Sequence, residues 1–535
     1  MVLFDQKDAT LANIARVVEK RLADPKVTLT LVLDPAIGEL ESKFEDGVIT
    51  GGSYADILFV AGKYLRNPKL ENGSFRSYKE LCGLYWATHN QGYSECAPME
   101  ELYEDIENQA LWGMNTIKVW FDMAQHKIEE SGEFIDRLLK ILKYAKSLGL
   151  KTAMGGTANE AFDDSPVELR ADWTPGHDGY VSRLNAHYQR EICPSKPGGL
   201  EKIEEYRRAV LEAFQEVQLD YYDIGPYDQG GCTCTACAPW GGNGYIRCVK
   251  RLIPVLKAYQ PSVRPYLNTW YFGMFRAPGD VSEFDLLAEE IAKGELEDVA
   301  YISCEPQVHR YPFEKPLGKP YIGFPEISMC SIFPWGGYGA IAVPNKIQKN
   351  WDQNERQLRG GFPYCEGFYE DLNKAIVLRL YRENQPAAET VREYLSYEFG
   401  LEGDMLEQVH GAVMAMEQTH MRVWEPGHRY VIVQPEKVFE IEDAILAADT
   451  VLPEKIRCGK KWKLFYYRAR IDAELARNDF YRNDKVMQYF EEMIKLYHLE
   501  NANWYLKPDV VTDEKYGRPL TRDEIKIIAM GGELE

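Results

Sequence analysis

Between Tyr221 and Tyr245 the chain reads YYDIGPYDQGGCTCTACAPWGGNGY, which places Asp223, Asp228, Tyr227, Trp240 and the cysteines Cys232, Cys234 and Cys237 within one short stretch. Tyr221, Tyr222 and Ile224 around Asp223 have the pattern of the end of a buried strand. The glycines and proline that follow mark a loop, because glycine adopts backbone shapes closed to other residues and loops on a rigid scaffold often carry function. Carboxylates beside aromatic rings suit work on sugars. One acid protonates a leaving glycosidic oxygen, and a second attacks or stabilises an oxocarbenium-like centre or activates water. Aromatic faces meanwhile stack on the C–H faces of a pyranose. The cysteines form C-x-C-x-x-C, a compact ligand arrangement for zinc or another soft metal, and Cys193 or His187 would supply the fourth ligand of a closed structural site. Reduced thiols that pack and shape the loop are the alternative reading, and a catalytic metal is a third.

The same residue types recur at the ends of other strand-like runs. In chain order these are Trp86 and His89, Trp120 and Asp122, Asn159 and Glu160, then Asn268, Trp270 and Tyr271, then Glu305. Glu326 with Trp335, and Tyr364 with Glu366, Glu370 and Asp371, complete the series. Any one of them is more often structural than catalytic; their concentration at strand ends favours function. Asp228, Glu326 and Glu366 are the expected catalytic carboxylates. Asp228 lies on the loop beyond strand four, Glu326 follows a proline in strand seven, and Glu366 sits in PYCEG. Opposed strands four and seven suit an acid/base on one side and a nucleophile or water-activating base on the other. The expected substrate-binding residues are His89, Trp120, Asp122, Asn159, Glu160, Asp223, Tyr227, Trp240, Trp270, Tyr271, Glu305, Trp335, Tyr364 and Asp371. For each acid the competing reading is a sugar-hydroxyl ligand or a buried carboxylate paired with arginine.

The elements that must position these residues can be read from the pattern. From about residue 80 to 385 strands and helices alternate: LCGLYWATHN, NTIKVWFDM, KTAMGGTANE, LDYYDIGPYDQ, RPYLNTWYF, VAYISCEP, PYIGFPEIS and GGFPYCEGF are the strands, separated by amphipathic helices such as FIDRLLKILKYAKSLGL. This is the rhythm of an α/β (β/α)8 TIM barrel. A doubly wound open sheet would carry a Gly-rich phosphate loop after strand one, and none is there. Residues 1–75 read as a small N-terminal α/β domain, with residues 71–77 as a linker, residues 76–385 as the catalytic barrel and residues 386–535 as a C-terminal α-helical domain. In that last region ETVREYLSYEFG and MLEQVHGAVMAMEQTHMRVW are read as helices.

With a formal net charge of −21 over 535 residues, the chain has the wrong sign for nucleic acid or an anionic membrane. Eleven cysteines, an odd number, do not form a disulfide framework and fit a reducing compartment. The N-terminus lacks the basic region, apolar stretch and cleavage site of a signal peptide, so a cytoplasmic location is expected. Aromatic residues at 12%, with 34 Tyr and 11 Trp, suit carbohydrate stacking.

The stretches CPSKPGGLEKIEEYRRAV, DIGPYDQGGCTCTACAPWG, GFPEISM and GGFPYCEGFYEDLNKA resemble a group of bacterial barrel proteins related to glycoside hydrolases, allied to the family 20 hexosaminidases and family 67 α-glucuronidases. The likeness covers about residues 45 to 385, and GVITGGSYADILFVAGKYLR resembles the end of their small N-terminal module. It implies a barrel glycosidase that cleaves O-glycosyl bonds in small oligosaccharides or glycosides, with no cofactor required for catalysis and structural zinc left open. DIGPYDQGG stands where the hexosaminidases carry a strand-four Asp-Glu pair, which argues against an acetamido-assisted mechanism. The alternatives are a non-catalytic carbohydrate-binding barrel and a metal-dependent sugar-processing enzyme. The last is weakened because only His89 and His309 lie near strand ends. An acidic site with Trp and Tyr favours neutral or amino sugars, although Arg276 and Arg310 could hold a uronate. A small carbohydrate is the expected partner, and a homo-oligomer is left open.

Overall fold

The computed structural model describes residues 1–89, 92–172, 190–227, 230–272, 282–304, 317–328, 339–365, 370–419, 422–425, 429–432, 434–480 and 483–498. Its centre is a closed, parallel, eight-stranded barrel. The strands are β1 (Leu81–Trp86), β2 (Thr116–Lys118), β3 (Lys151–Thr157), β4 (Tyr221–Gly225), β5 (Arg264–Asn268), β6 (Ile302–Cys304), β7 (Tyr321–Gly323 continuing in Glu326–Ser328) and β8 (Leu358–Gly361 continuing in Tyr364–Cys365). Pairing of Gly360 with Leu81, and of Tyr364 with Tyr85, closes β8 onto β1.

Every residue of β1 and β4 is buried, as expected for strands covered on both faces. Successive side chains still point to opposite sides. In β1, Leu81 and Tyr85 face the barrel interior, whereas Cys82, Leu84 and Trp86 join the layer between strands and helices. Trp86 accordingly donates its indole N–H to Gln109 Oε1 at 3.0 Å, away from the barrel axis. The interior is filled mainly by rings, including Tyr221, Tyr266, Tyr301, Phe324, Phe362 and Tyr364. Room for them is made at Gly155 of β3, where an added Cβ would lie 2.8 Å from Asp223 Cβ and 2.9 Å from the Trp120 ring. The outer helix Gly132–Ser147 buries one face, Ile135, Leu138, Leu139, Ile141, Leu142 and Ala145, whereas Asp371–Glu383, covered by the C-terminal helices, is buried all round.

Before the barrel, a mixed five-stranded sheet packs beside the helices Ala9–Glu19 and Tyr54–Arg66. The stretch expected as a linker contains the sheet's edge strand, Gly73–Arg76, paired antiparallel with residues 41–44. Its Asn-Gly-Ser composition has the look of a loop, but Phe75 packs against the core and holds the strand in register with Ser42. After the barrel come the helices Ala387–Phe399, Gly403–Met416, Pro435–Val451, Lys460–Arg477 and Asp484–Lys495. The helix expected to run on through MRVW stops at Met416. Arg422–Glu425 instead pairs antiparallel with Arg429–Ile432, because Val423, Trp424, Tyr430 and Val431 have strand propensity and the Pro426-Gly427 sequence between them breaks a helix. Ion pairs tie these parts to the barrel: the buried Arg382 to Asp56 at 2.7 Å and the partly exposed Lys461 to Asp371 at 2.7 Å.

Candidate active site

Lys118 and Trp120 lie two apart along β2 and its extension, so they share the inward face. Lys118 is fully enclosed, with Nζ 2.5 Å from Asp223 Oδ2 on β4 and 3.9 Å from the centre of the Tyr85 ring. The rings of Trp120, Tyr266 and Phe324 complete its surroundings at 5.5, 5.7 and 5.8 Å. Burial pulls the Lys118 ammonium below its ordinary pKa while Asp223 pulls it back up. Burial, aided by the Asp223 charge, holds the Tyr266 hydroxyl well above its usual range. Sequence reasoning named Asp223 but missed Lys118. The available signal was a lysine inside an apolar strand, in step with Trp120.

Around this ion pair the C-terminal strand ends build an aromatic wall. Tyr364 lies 5.0 Å from Tyr85 and 5.3 Å from Phe324, ring centre to ring centre. His89 lies 5.7 Å from Trp120, and its Nε2 is 3.3 Å from the Tyr364 hydroxyl. Trp270, half-buried, meets Phe324 edge-on at 5.8 Å and leans on Tyr271 at 4.7 Å. Thr88 fixes Trp120 by exchanging hydrogen bonds with its backbone, Oγ1 donating to the carbonyl at 2.5 Å and accepting from the N–H at 3.0 Å. Glu326 stands in β7 opposite Tyr364 of β8 and is 8% exposed. The fold therefore brings His89, Trp120, Trp270, Tyr271, Tyr364 and Glu326 to one end of the barrel, with Asp223 below them bound to Lys118.

Other expected site residues are occupied elsewhere. Asn159, expected to bind substrate, has its whole amide engaged by backbone: Nδ2 donates to the carbonyls of Ile192 at 2.9 Å and Gly231 at 2.8 Å, and Oδ1 accepts from Gly231 N at 2.8 Å. It fastens the loops after β3 and β4. Asp122 accepts from Ala124 N at 2.8 Å and Gln125 Nε2 at 2.9 Å, closing the turn after β2. Glu160 accepts from Met123 N at 3.0 Å and Thr157 N at 3.2 Å, with Arg207 at 3.6 Å. Burial pushes its carboxyl up to about 8 against the pull of Arg207. Tyr227 and Trp240, expected as stacking faces, are core residues. Tyr227 donates to Glu283, and the fully enclosed Trp240 donates to Pro226 O at 2.6 Å. Asp371 accepts from Tyr394 at 2.8 Å and pairs with Lys461, which makes it part of the seam with the C-terminal helices. Asp228, Glu305, Trp335 and Glu366 lie outside the described residues, as do His187, Arg276, His309 and Arg310.

Beside the β4 loop, Cys193 joins Cys232, Cys234 and Cys237, and the four Sγ atoms all lie within 4.8 Å of one another. Cys193 Sγ is 3.7 Å from that of Cys234 and 3.8 Å from that of Cys237, and all four are free thiols.

No protein-family model matches the chain, and no curated protein sequence does. Solved structures match it in fold. A family 89 glycoside hydrolase from Clostridium perfringens, in complex with its substrate GlcNAc-alpha-1,4-galactose, aligns with a TM-score of 0.61 at 11% identity, over 91% of this chain and 62% of that one. The fold is that of the glycoside hydrolase barrels. A GH138 enzyme targeting pectin rhamnogalacturonan II aligns with a TM-score of 0.56 at 10% identity, over 97% of this chain and 76% of that one. The family 20 β-N-acetylhexosaminidase of Streptomyces coelicolor A3(2) gives 0.50 at 12% identity, over 79% and 93%. The resemblance to family 20 read from the motifs is therefore one of fold, and the chain spans about 62% of the length of the family 89 enzyme. Among the described residues no helix is long and apolar enough to cross a membrane.

Proposed function

We propose that this chain is a glycosidase working at the C-terminal mouth of its barrel, with Glu326 as one of a pair of catalytic carboxylates. The observation that carries the reading is that Glu326 in β7 pairs with Tyr364 of β8, whose ring stands in the aromatic wall with His89 and Trp120. A carboxylate at the edge of aromatic faces is what protonation or attack at an anomeric centre requires, with the rings holding the sugar by its C–H faces. Asp228, beyond β4, and Glu366, just beyond β8, are the proposed partner acids. In the proposed arrangement an acid from the loop after β4, or from the end of β8, and Glu326 of β7 approach a scissile bond from different parts of the mouth. Trp120 Nε1 has no hydrogen-bond partner among the described residues and is assigned to a substrate hydroxyl.

The structural neighbours support this reading and suggest the sugar. The family 89 enzyme is named with a GlcNAc-containing substrate and the family 20 enzyme as an N-acetylhexosaminidase, so a small 2-acetamido glycoside is the first substrate to try. The proposed chemistry uses carboxylates alone and calls for no cofactor. Catalysis of this kind contributes about 10²–10⁴-fold through each acid or base. Across a panel of aryl α- and β-glycosides that includes the N-acetylglucosaminides, wild type should turn over one member, and Glu326→Gln should lose about a hundredfold or more in kcat/KM with its fold intact. Equal turnover by the two proteins would remove Glu326 from the mechanism. Sugar binding without turnover by either would favour a non-catalytic carbohydrate-binding barrel.

A further inference from the structure

We propose that Cys193, Cys232, Cys234 and Cys237 bind one zinc ion as a closed tetrahedral thiolate site that pins the loop after β4 to the segment entering the helix Gly199–Ala213. A zinc ion bonded to sulfur at about 2.3 Å sets the edge of the sulfur tetrahedron at about 3.8 Å. The separations of 3.7 Å from Cys193 to Cys234 and 3.8 Å from Cys193 to Cys237 match that edge, and the remaining pairs stay within 4.8 Å. Disulfides would instead draw the sulfurs together two by two, and none of the four is so bonded.

The convergence is between parts of the chain far apart in sequence. Cys193 comes from the end of the long excursion after β3, and the other three come from the β4 loop. Backbone hydrogen bonds shape the turn that presents them: Cys237 N and Ala238 N both donate to Cys234 O, at 2.9 and 3.0 Å. Ser195 Oγ lies 3.0 Å from Cys237 Sγ, and Arg247 donates to that hydroxyl and, at 3.2 Å, to Ala236 O. A guanidinium thus stands beside the site, where it offsets the charge of a tetrathiolate. Binding converts four thiols and one Zn²⁺ into a dianionic ZnS₄ unit and releases four protons to solvent. Four sulfur ligands leave no open position, so the metal is structural and takes no part in a reaction. Asn159 fastens the same two segments through Ile192 and Gly231, so amide and metal together hold the β4 loop from Gly231 to Cys237. The metal site stands whether or not the chain is a glycosidase; only its effect on turnover, through Asp228 on that loop, rests on the proposed function.

The test is metal analysis of the full chain expressed with zinc and passed through gel filtration. One zinc per chain is expected, retained until a strong chelator or a thiol-modifying mercurial is added. Cys232→Ser and Cys237→Ser should lose it, whereas Cys248→Ser, at a buried thiol outside the cluster, should keep it. The half-buried Cys234→Ser guards against a variant that merely fails to fold. On the unmutated chain, replacement by Co²⁺ should give the visible bands of a tetrahedral thiolate, and four thiols should become reactive to alkylation only after chelation. Zinc below about a tenth of an equivalent, or zinc content unchanged by the Cys232 and Cys237 substitutions, overturns the proposal.

Discussion

Lys118→Met tests how the barrel mouth is held together. In the native chain the ammonium and the Asp223 carboxylate, 0% and 2% exposed as side chains, are each other's compensation inside a cage of rings. Methionine fills nearly the volume of lysine and brings no charge, so the packing survives while Asp223 is left as an enclosed, unpaired anion. Breaking a buried pair in this way costs about 3–5 kcal/mol, a large part of the roughly 5–15 kcal/mol that keeps a domain folded. Asp223→Leu leaves the ammonium stranded and should cost a similar amount. The double variant removes both charges and replaces the pair with apolar groups, which is neutral or even stabilising by about 1–4 kcal/mol in comparable cases. The assay is urea denaturation followed by tryptophan fluorescence, which Trp120 and Trp270 make sensitive to this region. Both single variants should unfold at lower urea and the double variant close to wild type, giving a coupling of at least about 2 kcal/mol. Single costs below about 1 kcal/mol that simply add would refute the claim that the pair is buried and mutually dependent.

Three hydrogen bonds to backbone meet at the Asn159 amide, so Asn159→Ala should cost about 2–4 kcal/mol and should speed hydrogen exchange at the Gly231 amide, which an unchanged exchange rate would contradict. Glu160 gives a pH signature. Its carboxyl is raised from 4.5 to about 8 in the folded chain, so the native state holds a proton that the unfolded chain has lost, and stability should fall as pH rises through that window. The slope has an upper limit of about 1.4 kcal/mol per pH unit, and Glu160→Gln should flatten it; an equal slope in the variant would assign the dependence to another group.

The barrel was legible in the sequence because short apolar strand-like runs, most of them ending near glycine, proline or asparagine, alternate with amphipathic helices. Glu326 could be placed at the mouth for the same reason, as it follows the proline that ends the first part of β7. What the sequence could not supply was direction. Tyr227 and Trp240 have the composition of a sugar platform, yet their polar atoms are bonded to Glu283 and Pro226 inside the protein. Asn159 and Asp371 look like ligands for hydroxyls until the backbone of a neighbouring loop, in one case, and Lys461 with Tyr394, in the other, are seen to use them. Residue type predicts what a side chain can bond to, but not which partner reaches it first. Lys118 was hidden by the opposite bias, since a lysine is read as surface until its strand is known to be covered on both sides. Local spacing revealed the C-x-C-x-x-C cluster, whereas Cys193, offered as one of two fourth ligands, needed the fold to bring it across from the other loop.

The proposed activity requires a sugar held at the barrel mouth against Trp120 and Trp270 with its glycosidic oxygen at Glu326. The most direct measurement is a crystal structure of Glu326→Gln soaked with an intact small 2-acetamido glycoside. The ring should lie on those aromatic faces, with the glycosidic oxygen or anomeric carbon within hydrogen-bonding or attack distance of the substituted side chain and Trp120 Nε1 bonded to a hydroxyl. A sugar bound at another surface, with the mouth closed over its own side chains, would contradict the account.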